Sequence, residues 1–279
     1  MKEYTPLIAQ ALSEDIGDGD HTSLSCIPAD AKGKAQLLVK QNGILAGVRI
    51  ALEVFRLVDS NLKVDVLIED GKRVTVGDIA FIVEGKSQSI LIAERLALNY
   101  MQRMSGIATH TAYLKSLIGP LKTKLLDTRK TTPNNRIFEK MAVKIGGGEN
   151  HRFGLYDLVM IKDNHIDYAG GIEAAISKTR KYLANNNIDI RIEIEARNLE
   201  EVKIILNSEK VDRIMLDNFS YSDLTKAVQM IGSYAETEAS GGITEETIAD
   251  YAKCGVNYIS VGALTHQIKS LDLSLKAID

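Results

Sequence analysis

The stretch IRIEIEARNLEEVKIILNSEKVDRIMLD, residues 190–217, shows the unit from which the second half of the chain is built. Ile190–Glu195 and Arg213–Asp217 are short apolar runs of strand length, and each ends in an acidic residue. Between them, Leu199–Leu206 carries apolar residues at helical spacing. Two strands joined through a helix pair in parallel. The stretch therefore predicts a β/α unit with carboxylates where its strands end.

The same alternation continues on both sides of this stretch. Further strands are predicted at Thr123–Asp127, Leu158–Lys162, Tyr234–Glu238 and Asn257–Val261. Further helices are predicted at Asn135–Val143, Ile172–Leu183, Tyr221–Ile231 and Glu245–Ala252. Six strands are fewer than the eight of a complete barrel. We therefore expect an α/β protein with an incomplete β/α barrel of about six parallel strands.

The first hundred residues follow a different pattern. Residues 34–84 read as short strands separated by glycines, and residues 87–104 carry apolar side chains at helical spacing. We expect a smaller N-terminal α+β domain over residues 1–105 that ends in a long helix. The barrel would then form the catalytic domain over residues 106–279, with a C-terminal tail that can pack back on the first domain.

The amino-acid composition limits the classes of molecule that the protein is expected to bind. The net charge of −3 over 279 residues argues against binding to nucleic acid or to a membrane surface, which both require a basic surplus. Cys26 and Cys254 are far apart, without metal-binding or redox spacing. No segment approaches the ~20 apolar residues of a bilayer span. We expect a soluble, cytoplasmic protein that binds any anion at a local site.

Positive charge is concentrated between Asp127 and His165, where seven Lys and Arg residues face five Asp and Glu residues. The candidates near predicted strand ends are Arg129, Lys130, His151, Arg152 and Lys162. Several cations around one cavity suit a dicarboxylate better than a monoanion. A surface ion-pair cluster remains the alternative for Arg129 and Lys130, and a structural hydrogen-bonding role remains open for His151.

Acids and glycines occupy the other predicted strand ends. Glu193 and Glu195 share one face of their strand, and Asp217 ends the next one. These acids could hold Mg²⁺, accept hydrogen bonds from sugar hydroxyls, or pair with the neighbouring cations. The turns Ser240–Thr244 and Val261–His266 pass through glycine into predicted helices, an arrangement that suits a phosphate. Gly146–Gly148 follows a helix and is interpreted as its C-cap.

Several of these stretches together resemble a known family. They are LDTRKTTP (126–133), GGGENHRFGL (146–155), IKDNH (161–165), LDN (216–218), SGG (240–242) and VGALTH (261–266). They resemble quinolinate phosphoribosyltransferase, the decarboxylating nicotinate-nucleotide pyrophosphorylase, over nearly the whole chain.

The resemblance implies that quinolinate and phosphoribosyl pyrophosphate, with Mg²⁺ and no organic cofactor, give nicotinate mononucleotide, pyrophosphate and CO₂. It implies quinolinate binding by Arg95, Arg129, His151, Arg152 and Lys162. It implies phosphoribosyl pyrophosphate binding by Lys130, Glu195, Asp217, Ser240, Gly241, Gly262 and His266. Lys130, Lys162, Glu195 and Asp217 would be catalytic, and Glu195 and Asp217 would meet the metal directly or through water or substrate.

The resemblance also changes the interpretation of the polar stripe formed by Arg95, Asn99 and Gln102 on the long helix. The pattern alone suggests a solvated face, whereas the resemblance implies that Arg95 enters the site of a neighbouring subunit in a homodimer. The competing hypothesis is a molybdenum-transport-associated paralogue that binds an oxyanion.

Overall fold

A computed structural model describes residues 3–278 of the chain and divides them into two compact units. The first unit comprises residues up to Ala112, Thr131–Gly147, and the residues from Leu264 onward. The second comprises Tyr113–Lys130 and Gly148–Ala263.

The first unit contains a four-stranded antiparallel sheet with strand order β12-β1-β5-β3 and a separate two-stranded antiparallel sheet of β2 with β4. Its strands are β1 Lys32–Val39, β2 Gly43–Ile44, β3 Lys63–Val66, β4 Arg73–Val74, β5 Ile79–Lys86 and the C-terminal β12 Leu273–Ile278. Its helices include α1 Thr5–Ile16, α2 His21–Cys26, α3 Val48–Val58 and α5 Arg136–Ile145. Because β12 pairs with β1 along six residue positions, the end of the chain completes the sheet that its beginning starts.

The long helix α4 runs over Ser87–Ile118, 14 residues beyond the predicted end at Met104. The sequence contains no residue that would end this helix soon after Met104. Gly106 lacks the proline ring that breaks helices, and buried apolar residues continue at Ile107, Leu114 and Ile118. Gly106 also has a packing role. A Cβ at this position would lie 2.4 Å from the carbonyl oxygen of Lys269, so only glycine fits there.

The second unit contains the predicted parallel sheet. Its strands are β6 Lys124–Leu126, β7 Val159–Ile161, β8 Ile192–Ala196, β9 Arg213–Asp217, β10 Glu236–Ser240 and β11 Tyr258–Ser260. The helices between them are α6 Asp163–Ala169, α7 Ile172–Asn185, α8 Leu199–Leu206, α9 Tyr221–Ile231 and α10 Ile248–Lys253, and the short α11 Ala263–His266 follows β11. The order is β6-β11-β10-β9-β8-β7, all parallel. Within residues 3–278 this sheet ends at β6 and β7, which confirms the incomplete six-stranded barrel.

Alternation along the strands separates apolar packing from polar chemistry. On β8, Ile192 and Ile194 point to one face, and Glu193 and Glu195 to the other, yet all four are buried. Helix caps fix where the adjoining helices begin: Asn198 accepts a hydrogen bond from the Glu201 amide at the start of α8. The parallel sheet thus carries buried carboxylates on the face opposite its aliphatic packing surface.

Candidate active site

The candidate residues of the second unit lie at the carboxyl edge of the parallel sheet. Lys162 directly follows β7, Glu195 is the fourth of five residues of β8, and Asp217 and Ser240 end β9 and β10. Asp217 and Ser240 are register partners. Arg129 and Lys130 come after β6, and Gly262 comes two residues after β11. In β/α barrels this edge carries the functional side chains, so the structure places these candidates together in the expected position.

Lys162 and Glu195 form an ion pair across the ends of β7 and β8. The Lys162 Nζ lies 3.0 Å from Glu195 Oε2, with the carboxylate almost fully buried and the lysine side chain about half exposed. The backbone amide of Lys162 donates to His165 Nδ1 at 3.0 Å, which fixes the start of α6. A charge-assisted bond of this kind holds both side chains in place at the sheet edge.

The turns after β9 and β10 are locked together through Asn218. Its backbone amide donates to the Ser240 carbonyl oxygen at 2.9 Å, and its side-chain Nδ2 donates to Asp217 Oδ2 at 2.7 Å. Asn218 has a φ of 55°, in the left-handed region. A Cβ on Gly241 would lie 2.2 Å from the Asn218 Oδ1, so only glycine permits this contact. One oxygen of Asp217 is thereby oriented by the protein.

Deeper in the barrel, a second polar cluster surrounds His151. The His151 Nε2 lies 3.0 Å from Glu193 Oε2 and 3.5 Å from Glu238 Oε2. Arg213 Nη1 lies 2.9 Å from Glu238 Oε2 and 3.7 Å from Glu193 Oε2, and its guanidinium stacks on the Tyr258 ring at 4.1 Å. His151, Glu193 and Glu238 have the spacing of a metal-ligand trio, but Arg213 already supplies the cation between the carboxylates.

Charge balance explains how this cluster stays buried. Burial alone would lower the pKa of His151, but the nearby Glu193 and Glu238 raise it to about 9. Burial and Glu238 raise the pKa of Glu193, whereas His151 and Arg213 keep the pKa of Glu238 low despite its burial. The negative charges of Glu193 and Glu238 are therefore balanced by the positive charge of Arg213 and by one additional proton that His151 and Glu193 share. The cluster takes up that proton as a unit.

Arg152 follows His151 and carries positive charge next to Arg129. Burial lowers the pKa of Arg152, and the nearby charge of Arg129 lowers it further. Its Nη1 donates to the carbonyl oxygen of Leu158 at 3.3 Å. Two guanidinium groups that repel each other at the sheet edge form a site at which an anion relieves the repulsion.

The remaining candidates, Arg95 and His266, belong to the first unit, and both are exposed. In that unit the buried carboxylate of Glu139 connects several segments. It accepts from Arg103 Nε at 2.8 Å and from the Thr132 amide at 3.2 Å. Arg103 also donates to the carbonyl oxygen of Thr265, the residue before His266. This network connects α4 and α5 to the segment before α5 and to the residue before His266.

Of the residues of the second unit described above, the sequence interpretation left out Glu238, Arg213 and Asn218, and it named Glu193 only as an acid that could bind Mg²⁺, a sugar hydroxyl or a neighbouring cation. Glu193 and Arg213 are register partners on adjacent strands, so a charge of each sign at facing inward positions was the available signal. Asn218 carried a weaker signal, as an Asn between an acid and a buried Phe at the end of a strand. Gly146 is the C-cap of α5, which confirms its interpretation as a helix end.

Two family models cover most of the chain. The one described as quinolinate phosphoribosyl transferase, N-terminal domain, matches residues 20–105, and the corresponding C-terminal domain matches residues 107–276. None of the helices within residues 3–278 is both long and apolar enough to cross a bilayer.

Similar proteins agree with this assignment over most of their length. The chain is 46% identical to quinolinate phosphoribosyltransferase [decarboxylating] 1b of Nicotiana tabacum over 285 residues, covering 97% of this chain and 81% of the relative. It is 42% identical to the probable nicotinate-nucleotide pyrophosphorylase [carboxylating] of Bacillus subtilis (strain 168), covering 94% and 89%. The solved nicotinate-nucleotide pyrophosphorylase of Francisella tularensis superposes with a TM-score of 0.92 at 42% identity, covering 98% and 95%. The chain belongs to the quinolinate phosphoribosyltransferase family.

Proposed function

We propose that this protein transfers the phosphoribosyl group of phosphoribosyl pyrophosphate to quinolinate, with loss of CO₂, to give nicotinate mononucleotide and pyrophosphate in NAD synthesis. The family assignment and the names of the relatives support this activity over oxyanion binding by a molybdenum-transport-associated paralogue. The single observation that carries the proposal is the placement of cations at the strand-end edge, where Arg129 follows β6, Lys162 follows β7, and Arg152 lies close enough to Arg129 for their charges to interact. A planar dicarboxylate compensates two guanidinium groups at once.

In this proposal the acid pocket binds the two carboxylates of quinolinate. Its residues are Arg129, His151, Arg152 and Lys162, with Arg95 contributed by a second subunit. The minimal active unit is then a homodimer with shared sites. A cytoplasmic location stays a prediction for this chain, since the names of some plant relatives place those proteins in mitochondria or chloroplasts.

The phosphoribosyl pyrophosphate side uses the other strand ends. Lys130 faces the pyrophosphate, Glu195 and Asp217 lie by the ribose, and the 5′-phosphate is bound by Ser240, Gly241, Gly262 and His266. Gly241 has a positive φ of 95° and no side chain to shield its amide, so a phosphate oxygen can approach the backbone.

Glu195 and Asp217 fit the chemistry of Mg²⁺, which prefers carboxylate oxygens and retains water. Lys162 binds one oxygen of Glu195, and Asn218 binds one oxygen of Asp217, so each carboxylate is oriented and offers a second oxygen. When bound with the substrate, Mg²⁺ would neutralise charge on the departing pyrophosphate.

The reaction requires positioned charge rather than an organic cofactor. The ring nitrogen of quinolinate attacks the anomeric carbon while the bond to pyrophosphate breaks, through an oxocarbenium-like transition state. Lys130 stabilises the leaving group, and Glu195 and Asp217 orient the sugar. The resulting pyridinium accepts the electron pair of the breaking bond to CO₂, and a proton from solvent then replaces the carboxyl group. Lys162, paired with Glu195, holds the substrate carboxylate during these steps.

The test incubates the purified protein with carboxyl-labelled quinolinate, phosphoribosyl pyrophosphate and Mg²⁺. We expect release of labelled CO₂ with equimolar nicotinate mononucleotide, and much slower turnover with nicotinate because it fills only half of the cationic pocket. EDTA should abolish turnover. A folded dimer that releases no CO₂ would refute the proposal, and calorimetric binding of molybdate without binding of quinolinate would support the oxyanion alternative.

A further inference from the structure

Four consecutive backbone amides, from His151 to Gly154, each donate a hydrogen bond to a side chain. The His151 amide donates to the buried Asp127 Oδ1 at 2.8 Å, and the Arg152 amide donates to His151 Nδ1 at 2.6 Å. The Phe153 and Gly154 amides donate to the two carboxylate oxygens of Asp157, at 2.6 and 2.9 Å. Along the segment that carries Arg152, side-chain acceptors thus satisfy the backbone amides in place of the backbone acceptors of a helix or sheet.

His151 stands at one end of this arrangement with both ring nitrogens facing protein groups. Its Nδ1 accepts from the Arg152 amide, while its Nε2 lies 3.0 Å from the Glu193 carboxylate. Only 4% of its side chain is exposed. The ring therefore links the barrel interior to the backbone of Arg152, and a substrate carboxylate would have to displace one of these contacts to reach either nitrogen.

Asp157 lies at the other end of this segment, where an acidic side chain next to an anion-binding site is unexpected. It is exposed, and its negative charge acts on Arg152. An acid at this point weakens the attraction of the pocket for an anionic substrate. Its two backbone hydrogen bonds offset that disadvantage, because they fix the turn from which Arg152 extends.

We propose that His151 and Asp157 are positioning residues that hold the 151–154 backbone and so place the Arg152 guanidinium for a substrate carboxylate. The inference rests on the proposed function, and it assigns His151 an indirect role instead of direct contact with quinolinate. Glu193 belongs to the same device because it holds the far side of the His151 ring.

Substitutions at Asp157 test the inference by the sign of their effect. If Asp157 acts only through its charge, Asp157→Ala should tighten quinolinate binding. If it positions Arg152, Asp157→Ala should weaken binding about tenfold through the loss of two hydrogen bonds, and Asp157→Asn should recover part of it because one acceptor oxygen remains. The KM for phosphoribosyl pyrophosphate should change less than twofold.

Substitutions at His151 give an independent test, in which two variants are ranked by their affinity for quinolinate. In His151→Asn the amide oxygen can take the place of Nδ1 and keep the Arg152 amide bonded. In His151→Gln the amide group reaches the position of Nε2 instead. Positioning through the backbone predicts tighter quinolinate binding by His151→Asn than by His151→Gln, whereas direct contact through Nε2 predicts the reverse.

The measurement is calorimetric titration of the protein with quinolinate, together with kcat and KM for both substrates. Asp189→Asn is the matched control, since it removes an exposed acid just before the amino end of β8. Absence of quinolinate binding by the wild-type protein would refute the proposed function itself. If the wild-type protein binds quinolinate and Asp157→Ala binds it equally well or more tightly, this inference alone is refuted. Because Asp157 is exposed, its substitution should not prevent folding, so this result decides the question even if the His151 variants fail to fold.

Discussion

At the scale of single residues, Gly241 and Gly242 have related backbone conformations but different surroundings. Their φ angles are 95° and 59°, so an alanine at either position is strained. A Cβ at Gly241 would lie 2.2 Å from Asn218 Oδ1 and 2.9 Å from the Asn218 backbone nitrogen, whereas nothing lies within 4 Å of a Cβ at Gly242. The two glycines therefore separate backbone strain from the Asn218 contact.

We expect Gly241→Ala to lower the free energy of unfolding by about 2 kcal/mol more than Gly242→Ala, because only the former crowds its neighbours. Gly241→Ala should also raise the KM for phosphoribosyl pyrophosphate, since moving Asn218 releases the carboxylate of Asp217. Urea unfolding and steady-state kinetics of the two variants provide the measurement. Equal destabilisation by both substitutions would show that the close contact with Asn218 does not contribute to the free energy of unfolding.

The extra proton of the His151–Glu193 pair predicts a pH dependence of stability, and it lies on the Glu193 side because His151 Nδ1 accepts a hydrogen bond from the Arg152 amide. The folded-state pKa of about 9 exceeds the value of ~6.5 expected for an unfolded histidine. The stabilisation is therefore complete below pH ~6.5 and is lost as the pH rises through 9. Its full size is about 3 kcal/mol for this buried side chain. Glu193, Glu238 and Arg213 are the charged groups that face the ring.

The measurement compares urea unfolding of the wild-type protein and His151→Asn from pH 6 to pH 10. Groups that titrate identically in both proteins cancel in the difference. We expect the stability advantage of the wild-type protein to shrink across this range. An advantage that stays constant up to pH 10 would mean that the His151–Glu193 pair does not bind an extra proton in the folded protein.

At the scale of helices and strands, the sequence predicted best where hydrophobic periodicity and helix caps agree. The bounds of β9, α8 and α9 are the predicted ones, because Asn198 and Ser220 cap the two helices at the residue before the first apolar turn. The predicted end of α4 at Met104 was wrong, and the helix continues to Ile118. A glycine that fits tightly against Lys269 looks in sequence like a helix end.

The networks within the candidate site were less accessible to sequence analysis. Lys162 and Glu195 were both candidates, but their direct pairing depends on the register of β7 with β8. Glu238 and Arg213 were not candidates, because a charged residue on a short strand is most often exposed. Their burial becomes understandable only when neighbouring strands bring His151 and Glu193 into contact with them. Strand register, which local sequence does not encode, decides such contacts.

Two ion pairs of similar geometry predict very different energies. Arg103 lies 2.7 Å from the fully buried Glu139, and Lys203 lies 2.7 Å from the exposed Glu200. We expect Arg103→Ala to lower the free energy of unfolding by about 3 kcal/mol, because it leaves a buried carboxylate without its charged partner. Lys203→Ala should cost less than about 0.5 kcal/mol. Urea unfolding of both variants gives the comparison, and similar costs would show that solvent screens the Glu139 pair as well.

At the scale of the whole molecule, charge is distributed unevenly. The chain carries a net charge of −3, yet residues 127–165 hold a surplus of two positive charges, so the remainder carries −5. The structure assigns this surplus to α5 of the first unit, whereas the residues of the same segment that belong to the second unit carry four charges of each sign. Anion binding in the second unit therefore depends on where individual cations lie, and the net negative charge of the chain opposes binding of nucleic acid. The exposed Arg95 lies outside this segment, on α4. We propose that Arg95 completes the acid pocket of a neighbouring subunit.

Shared sites predict recovery of activity in mixed dimers. In a dimer of Arg95→Ala with Arg129→Ala, one of the two sites contains both substitutions and the other contains neither. Mixing the two inactive variants under conditions of subunit exchange should therefore restore activity toward about one quarter of the wild-type value, since about half of the dimers are hybrids and each has one intact site. Differently tagged chains isolated through both tags measure hybrid formation directly. Purified hybrids without activity would place Arg95 and Arg129 in the same site of one chain, or outside the site altogether.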